Sequence, residues 1–549
     1  MLLCFLIISE FTFWLEFSTR FNFIAVDYLV YTHEVLGNIQ ESYPIFVIFP
    51  LMILIGSIIF YKLLPLIKAA ASIQRNFKTR CYQFISFTFI AIASFFFYEP
   101  KITDIKENNY LSELSKNGLY NLFSAFLHNS IDYYALYQTK DTESALSETY
   151  KYINQSSVIP DESAQSPGDL GSHKYSLKRH IQAKGAPNNL NVILITVESL
   201  SADFLKAQYG NKPLTPVIND LMKKSIYFNN FYATGTRTVR GLEAITLSIP
   251  PIPGQSILRR ENNENLFSIA SVLNKENYNS KFIYGGYGYF DNMNYFFSHN
   301  GFKIIDRNVI PEKEVNFANI WGISDEDLYK QAIKQADSSF ARDEKFFSLV
   351  MTTSNHRPYT YPEGKIDIPS KSNREGGVKY SDYAIGEFLK QAETKPWFDN
   401  TIFVITADHC AGSAGKVALP PHKYHIPLLI YAPKLLKPEI ISKLSSQIDL
   451  APTILGLLNI SYDSKFFGND IFSKTYENAF ISTFQKLGYI ENNKLVVLSP
   501  AKQYQTYNLL DNNAVQETVE DPDLTNRAIN YYQSSYYLYQ KGLLKEDAK

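Results

Sequence analysis

From Asn191 onward the chain alternates short apolar runs with segments of helical period, and this alternation limits the fold more than any other feature. NVILITV (191–197), KFIYGG (281–286), KFFSLVMTT (345–353), TIFVITA (401–407) and PLLIYAP (427–433) read as strands. LTPVINDLMKKS, FSIASVLNKEN, DEDLYKQAIKQA and DYAIGEFLKQAE read as helices between them. This predicts an α/β domain, with a central, mostly parallel sheet covered by helices on both faces. In such sheets ligands bind beyond the carboxyl ends of the strands, so the polar residues just after each run carry the functional reading.

Glu198 follows NVILITV, and Asp408 and His409 follow TIFVITA. Thr238 lies in TGTRTVRGLEAITLSI, where a polar loop turns into a helical pattern. Carboxylates, an imidazole and a hydroxyl suit Mn²⁺, Mg²⁺ or Zn²⁺. A divalent ion held there would lower the pKa of the Thr238 hydroxyl and orient it. A helix starting at Thr238 would aim backbone N–H groups at a phosphate, and Arg237 and Arg240 would neutralise its oxygens. Each residue also has a plainer role: Thr238 as a helix N-cap, the carboxylates as caps or loop residues, the arginines as solvated charges. The joint order strand-Glu, Thr loop, strand-Asp-His favours the site. His356, in TTSNHRPY, would contact substrate or relay a proton, its alternative being a turn histidine before Pro358. His422 and His425 stand in PPHKYHIPLL, where the chain re-enters the sheet, and His425 is the better placed to line the site. Cys410 reads as a buried, inert thiol.

The N-terminal part has a different texture. Pro44 to Tyr61 and Cys81 to Tyr98 carry no charge and are long enough to cross a bilayer. Between them Lys62, Lys68, Arg75, Lys78 and Arg80 stand without an acidic residue, which places that loop in the cytoplasm and everything after Glu99 outside it. Met1 to Phe17 is apolar but interrupted by Glu10 and Glu16, and reads as a membrane helix missing its beginning. The expected organisation is therefore membrane helices over 1–98 (about 1–17, 44–61 and 81–98) and a helical extracytoplasmic connector over 99–157. A flexible linker over 158–190 leads to a catalytic domain over 191–480. Residues 481–549 are expected to add a hairpin turning at ENNK (491–494), a further strand and a Tyr-rich helix. A chain of 549 residues exceeds one hydrophobic core. Its net charge of -1 argues against a nucleic-acid partner, and its three cysteines against a disulfide framework or a cysteine-based zinc site.

The ordered segments VILITVESLS, FNNFYATGTRTVRGLEA, FANIWGISDEDL, TTSNHRPY and WFDNTIFVITADH resemble the lipoteichoic-acid-synthase branch of the alkaline phosphatase and sulfatase superfamily, over about Asn191 to Pro433. The resemblance implies an alkaline phosphatase/sulfatase-like fold preceded by transmembrane helices. It implies one metal ion, Mn²⁺ foremost, on Glu198, Thr238, Asp408 and His409, with Thr238 as nucleophile and His356 as a substrate contact. Trp321, within FANIWGISDEDL, counts among the substrate-binding residues. The family moves phosphoglycerol from phosphatidylglycerol, through a covalent threonine, to a glycerol or sugar hydroxyl outside the membrane. The implied partners are thus a membrane phospholipid donor and an envelope glycan or glycerol-containing acceptor, at a multi-pass inner-membrane protein with a periplasmic catalytic domain.

Gram-positive members carry a His-Gly motif followed by Trp and Arg that grip the glycerol phosphate. The stretch here, YGGYGYFDNMNYFF (284–297), has none of the three, so Tyr284, Asp291 and Asn292 are expected in their place. In this the chain is similar to Gram-negative relatives. Sulfatases need Cys or Ser in a Cys/Ser-x-Pro-x-Arg context, whereas Val239 and Arg240 follow Thr238. Phosphoethanolamine transferases are typically cysteine-rich and continue Asp-His with Gly-Glu-Ser, whereas Cys410-Ala-Gly-Ser stands here. Water as acceptor would make the protein a phosphodiesterase, and a degenerate binding module would have no need of the intact quartet.

Overall fold

In the computed structural model the described residues are 2–73, 75–97, 108–127, 131–155, 176–510 and 514–547. They divide into two compact units, Met1–Asn129 with Ala414–Ala418, and Ser130–Ser413 with Leu419–Lys549.

The larger unit is organised by a nine-stranded sheet. Its strands in chain order are β1 Asn191–Val197, β2 Ile226–Tyr232, β3 Tyr278–Tyr284, β4 Lys303–Ile305, β5 Lys345–Met351, β6 Thr401–Ala407, β7 His425–Tyr431, β8 Glu439–Ile441 and β9 Ser445–Ser446. Across the sheet the order is β8-β2-β7-β6-β1-β5-β3-β4, with β9 also on β2. β6, β1, β5, β3 and β4 pair in parallel, and β7 runs antiparallel to both β6 and β2. Every residue of β1, β3 and β6 is buried, as the mostly apolar β1 and β6 require when helices cover both faces, while β3 buries Asn279, Ser280 and Lys281 as well. The carboxyl ends of β1, β2, β3, β5 and β6 thus reach the same edge, together with the start of β7.

Helices Asp325–Phe340 and Arg374–Ala392 form where helical period is read in the sequence, and pack on each other. LTPVINDLMKKS supplies only the six-residue helix Pro216–Leu221. A second, antiparallel sheet runs Ala479–Ser482, Leu487–Glu491, Lys494–Ser499, Gln503–Leu509 and Val515–Glu517, so the tail holds five strands where a hairpin and one more are expected. Its ENNK turn is tight because Asn492 and Asn493 both take positive φ, 49° and 56°, as a two-residue hairpin demands. The Tyr-rich helix Pro522–Gln540 packs on this sheet and on helix Thr142–Gln155. Arg179–Ile181 pairs with Tyr462–Ser464, so the expected linker over 158–190 contains a short strand. Its first part lies outside the described residues.

The smaller unit is helical. Among the described residues one helix, Ile45–Ser72, is long and apolar enough to cross a membrane. It runs on through Lys62, Pro65 and Lys68, a correction to the loop expected from Lys62. Leu2–Phe17 is a helix of 16 residues, shorter than the ~20 a crossing needs. Phe77–Phe97 is a 21-residue helix with Lys78 and Arg80 in its first turn.

Candidate active site

β1 delivers Glu198 and β6 delivers Asp408 and His409 to the same edge, because the two strands are adjacent and in register through Val197 and Ala407. Each of the three offers one ligand atom, and these atoms lie within 4.8 Å of one another. His409 Nε2 is 3.8 Å from Glu198 Oε1 and 3.4 Å from Asp408 Oδ2. His409 Nδ1 lies 2.7 Å from the Cys410 carbonyl, so an Nδ1–H would donate there and leave Nε2, on the carboxylate side, for a metal ion.

Ser199 ties the two acids together. Its N–H donates to Asp408 Oδ1 (2.8 Å) and its hydroxyl donates to Glu198 Oε1 (2.6 Å). Ser199 takes a left-handed φ of 54° to do so, a strained conformation of the kind that clusters at functional sites.

Helix Thr238–Leu247 begins at Thr238. Arg237 is its N-cap residue and supplies no side-chain cap, so Thr238 is not the cap its sequence position suggests. The Thr238 hydroxyl is instead 3.5 Å from Glu198 Oε2. The helix approaches the end of β6 so closely that a Cβ on Gly241 would stand 2.1 Å from the Asp408 carbonyl oxygen.

Asp408 is fully buried, and its Oδ2 accepts no hydrogen bond. Burial and the neighbouring Glu198 carboxylate both push the Asp408 carboxyl up. Burial, the largest influence, raises Glu198 as well, but charge on His409 and His356 together with hydrogen bonds from Ser199 and Asp408 holds it low. Two acids in one buried site, an unsatisfied oxygen, an imidazole lone pair and a hydroxyl fit a divalent cation.

His356 and Trp321 reach this site from β5 and the FANIWGISDEDL segment. Their rings meet at a tilt of 40° with centroids 3.9 Å apart, and the Trp321 indole N–H donates to the Arg357 carbonyl (2.6 Å). Asn355 Nδ2 donates to the Glu198 carbonyl (2.9 Å), which ties the His356 loop to β1. Tyr284, at the end of β3, is buried, and burial together with Glu198, Asp291 and Asp408 pushes its hydroxyl up. Asp291 lies 3.4 Å from Arg237 and 3.5 Å from Arg259. Arg259 has no place in the sequence reading.

Three expected substrate contacts are otherwise engaged. Arg240 is buried, paired with Glu243 at 2.7 Å and bonded to the Gly254 carbonyl, so it braces the loop after its helix. Asn292 donates to the Leu258 carbonyl (2.7 Å). His425 starts β7 at the right edge, but its Nε2 meets the Asn229 carbonyl at 2.9 Å and its ring stacks on Tyr232.

A profile of the sulfatase family matches residues 190–460. A solved protein of the alkaline phosphatase superfamily from Vibrio parahaemolyticus is 32% identical, with a TM-score of 0.68, over 76% of this chain and 100% of that one. A lipoteichoic acid synthase from Listeria monocytogenes shares the fold, with a TM-score of 0.58 at 20% identity over 71% of this chain and 98% of that one. Lipoteichoic acid synthase 2 of Bacillus subtilis is 27% identical over 319 residues, 53% of this chain and 48% of its own. The chain spans about half the length of the curated relatives it matches.

Proposed function

The chain belongs to the alkaline phosphatase superfamily, and on that premise we propose that it is a membrane-anchored, metal-dependent phosphoglycerol transferase. It takes the headgroup of phosphatidylglycerol onto Thr238 and passes it to a hydroxyl of an envelope glycan or glycerol acceptor. The observation that carries this reading is the Thr238 hydroxyl, at the first turn of an uncapped helix and 3.5 Å from Glu198 Oε2.

Glu198, Thr238, Asp408 and His409 are the residues that would hold the ion, with Mn²⁺ foremost and Mg²⁺ or Zn²⁺ as alternatives. When bound, it supplies Lewis-acid polarisation and favours the ionised hydroxyl. The remaining chemistry belongs to the chain. Thr238 Oγ1 forms a bond to phosphorus as the bond to the diacylglycerol oxygen breaks, and that oxygen leaves with the proton that the Thr238 hydroxyl gives up. An acceptor oxygen then bonds to phosphorus as the Thr238 ester breaks, and His356 takes the acceptor's proton. N–H groups of the helix's first turn face the phosphoryl oxygens. Arg237 and Arg259 bring two positive charges against the single carboxylate of Asp291. That surplus suits an anionic or neutral headgroup better than an ammonium.

Helix Ile45–Ser72, long and apolar enough to cross a bilayer, would tether the chain to the membrane that holds the donor, which raises the donor's effective concentration. On this reading the catalytic unit is extracytoplasmic. The test offers phosphatidylglycerol vesicles and Mn²⁺ to full-length wild-type and Thr238→Ala protein, with phosphatidylethanolamine in parallel. Diacylglycerol from phosphatidylglycerol with the wild type alone supports the reading. Equal release by both proteins rejects the covalent route, and preference for phosphatidylethanolamine replaces the headgroup.

A further inference from the structure

The nucleophile and the Asp408–His409 pair come from chain segments far apart in sequence, and one side chain joins their supports. Gln447 comes just after β9 and is wholly buried. Its Oε1 accepts from the Thr234 N–H (2.9 Å) and the Thr234 hydroxyl (3.3 Å). Its Nε2 donates to the carbonyls of Ala407 (3.0 Å) and Asp408 (2.7 Å). Both protons and both lone pairs of the amide are used, and a flipped amide would set N–H against N–H and oxygen against carbonyl.

Thr234 opens the loop that leads to Thr238, and it is fixed from another side as well. Its carbonyl accepts from the Ser482 hydroxyl (2.8 Å). Gly241, in the first turn of the nucleophile's helix, completes the junction. A Cβ there would meet the Asp408 carbonyl oxygen at 2.1 Å and Gln447 Nε2 at 2.9 Å. Helix, strand end and amide therefore meet without room for one more carbon.

We propose that Gln447 is a positioning residue: it locks the Thr238 loop to the carboxyl end of β6, so that the hydroxyl and the Asp408–His409 donors keep one geometry. It touches neither the ligand atoms nor the reacting group and acts through the backbone of Thr234 and Asp408. The effect on turnover rests on the transfer reading above, but the effect on the metal does not.

The test uses full-length Gln447→Met, which keeps the side-chain length and removes all four hydrogen bonds. Thermal unfolding, the Mn²⁺ dissociation constant from electron paramagnetic resonance, and kcat and KM for phosphatidylglycerol are read on the same preparation. We expect a folded protein whose Mn²⁺ affinity falls about tenfold, in the range seen for groups that orient ligands. We expect kcat to fall about a hundredfold, the cost of a misplacement near 1 Å, with KM within about twofold. Gln447→Glu, which sets a carboxylate against two carbonyls, is expected to be worse than Gln447→Met. Gln447→Asn shortens the same amide and carries the test if the methionine variant does not fold. Wild-type Mn²⁺ affinity in a folded variant overturns the proposal, as does loss of folding in both Met and Asn variants, which would mark a purely structural residue. If the wild type itself releases no diacylglycerol, the transfer reading fails while the Mn²⁺ measurement still decides the role of Gln447.

Discussion

Asp325 and Ser354 hold each other twice: the Asp325 N–H donates to Ser354 Oγ (3.0 Å), and the Ser354 N–H donates to Asp325 Oδ1 (3.0 Å). The same carboxylate takes the Thr353 N–H (3.2 Å) and the Ser381 hydroxyl (2.6 Å). A buried acid thus sets the loop that carries Asn355 and His356. Asp325→Ala would leave two buried N–H groups without an acceptor, at about 1–3 kcal/mol each. Denaturant unfolding should show that loss, and donor cleavage should fall with it. A variant of wild-type stability would show that the loop holds itself.

Arg237 and Arg240 flank Thr238 but do different work. Arg240→Ala strands the buried carboxylate of Glu243 and should cost about 3–5 kcal/mol of stability. Arg237→Ala should fold normally and weaken the donor, raising KM more than it lowers kcat. Equal melting temperatures for the two variants would contradict the assignment.

The cation should stabilise the fold. Mn²⁺ at a hundred times its dissociation constant adds about 2.7 kcal/mol when only the folded state binds it. Melting curves with Mn²⁺ and with a chelator should separate for the wild type and coincide for Asp408→Asn. Coincidence in the wild type would show that the acids hold no ion.

Lys281 on β3 offers a pH test away from the site. Its ammonium donates to the Gln335 carbonyl and Ser339 Oγ, and burial pushes its pKa down to about 8. The unfolded value is about 10.4, so the folded state prefers the neutral amine. The charged form therefore costs stability fully below pH 8, and that cost fades as pH rises toward 10.4. Lys281→Met should raise the melting temperature most at about pH 7 and least at about pH 10. A pH-independent difference would assign the effect to packing alone.

Much of the site was legible in the sequence because a parallel sheet gathers its strand-end residues along one edge. Unbroken apolar runs identify β1 and β6, and parallel neighbours must present Glu198 and Asp408 side by side. Thr238 was harder, since a hydroxyl at a helix start reads first as a cap, and only the structure shows Arg237 in that position. The engagement of Arg240 was hidden for a physical reason: its neighbours in sequence are polar, while its partners, Glu243 and Gly254, come from the helix and the loop behind it. Ser199 was visible beside Glu198 but had no role until its strained backbone placed it on both acids. Gln447 left no local signal, because its value lies in two backbones that approach only in the fold.

Thr238 carries the headgroup in the proposed transfer. Full-length protein is incubated briefly with phosphatidylglycerol and Mn²⁺, quenched in acid, and its peptides are analysed by mass spectrometry. A phosphoglyceryl adduct on Thr238 is expected in the wild type, with neither adduct nor diacylglycerol from Thr238→Ala. Diacylglycerol released by Thr238→Ala at the wild-type rate would contradict it.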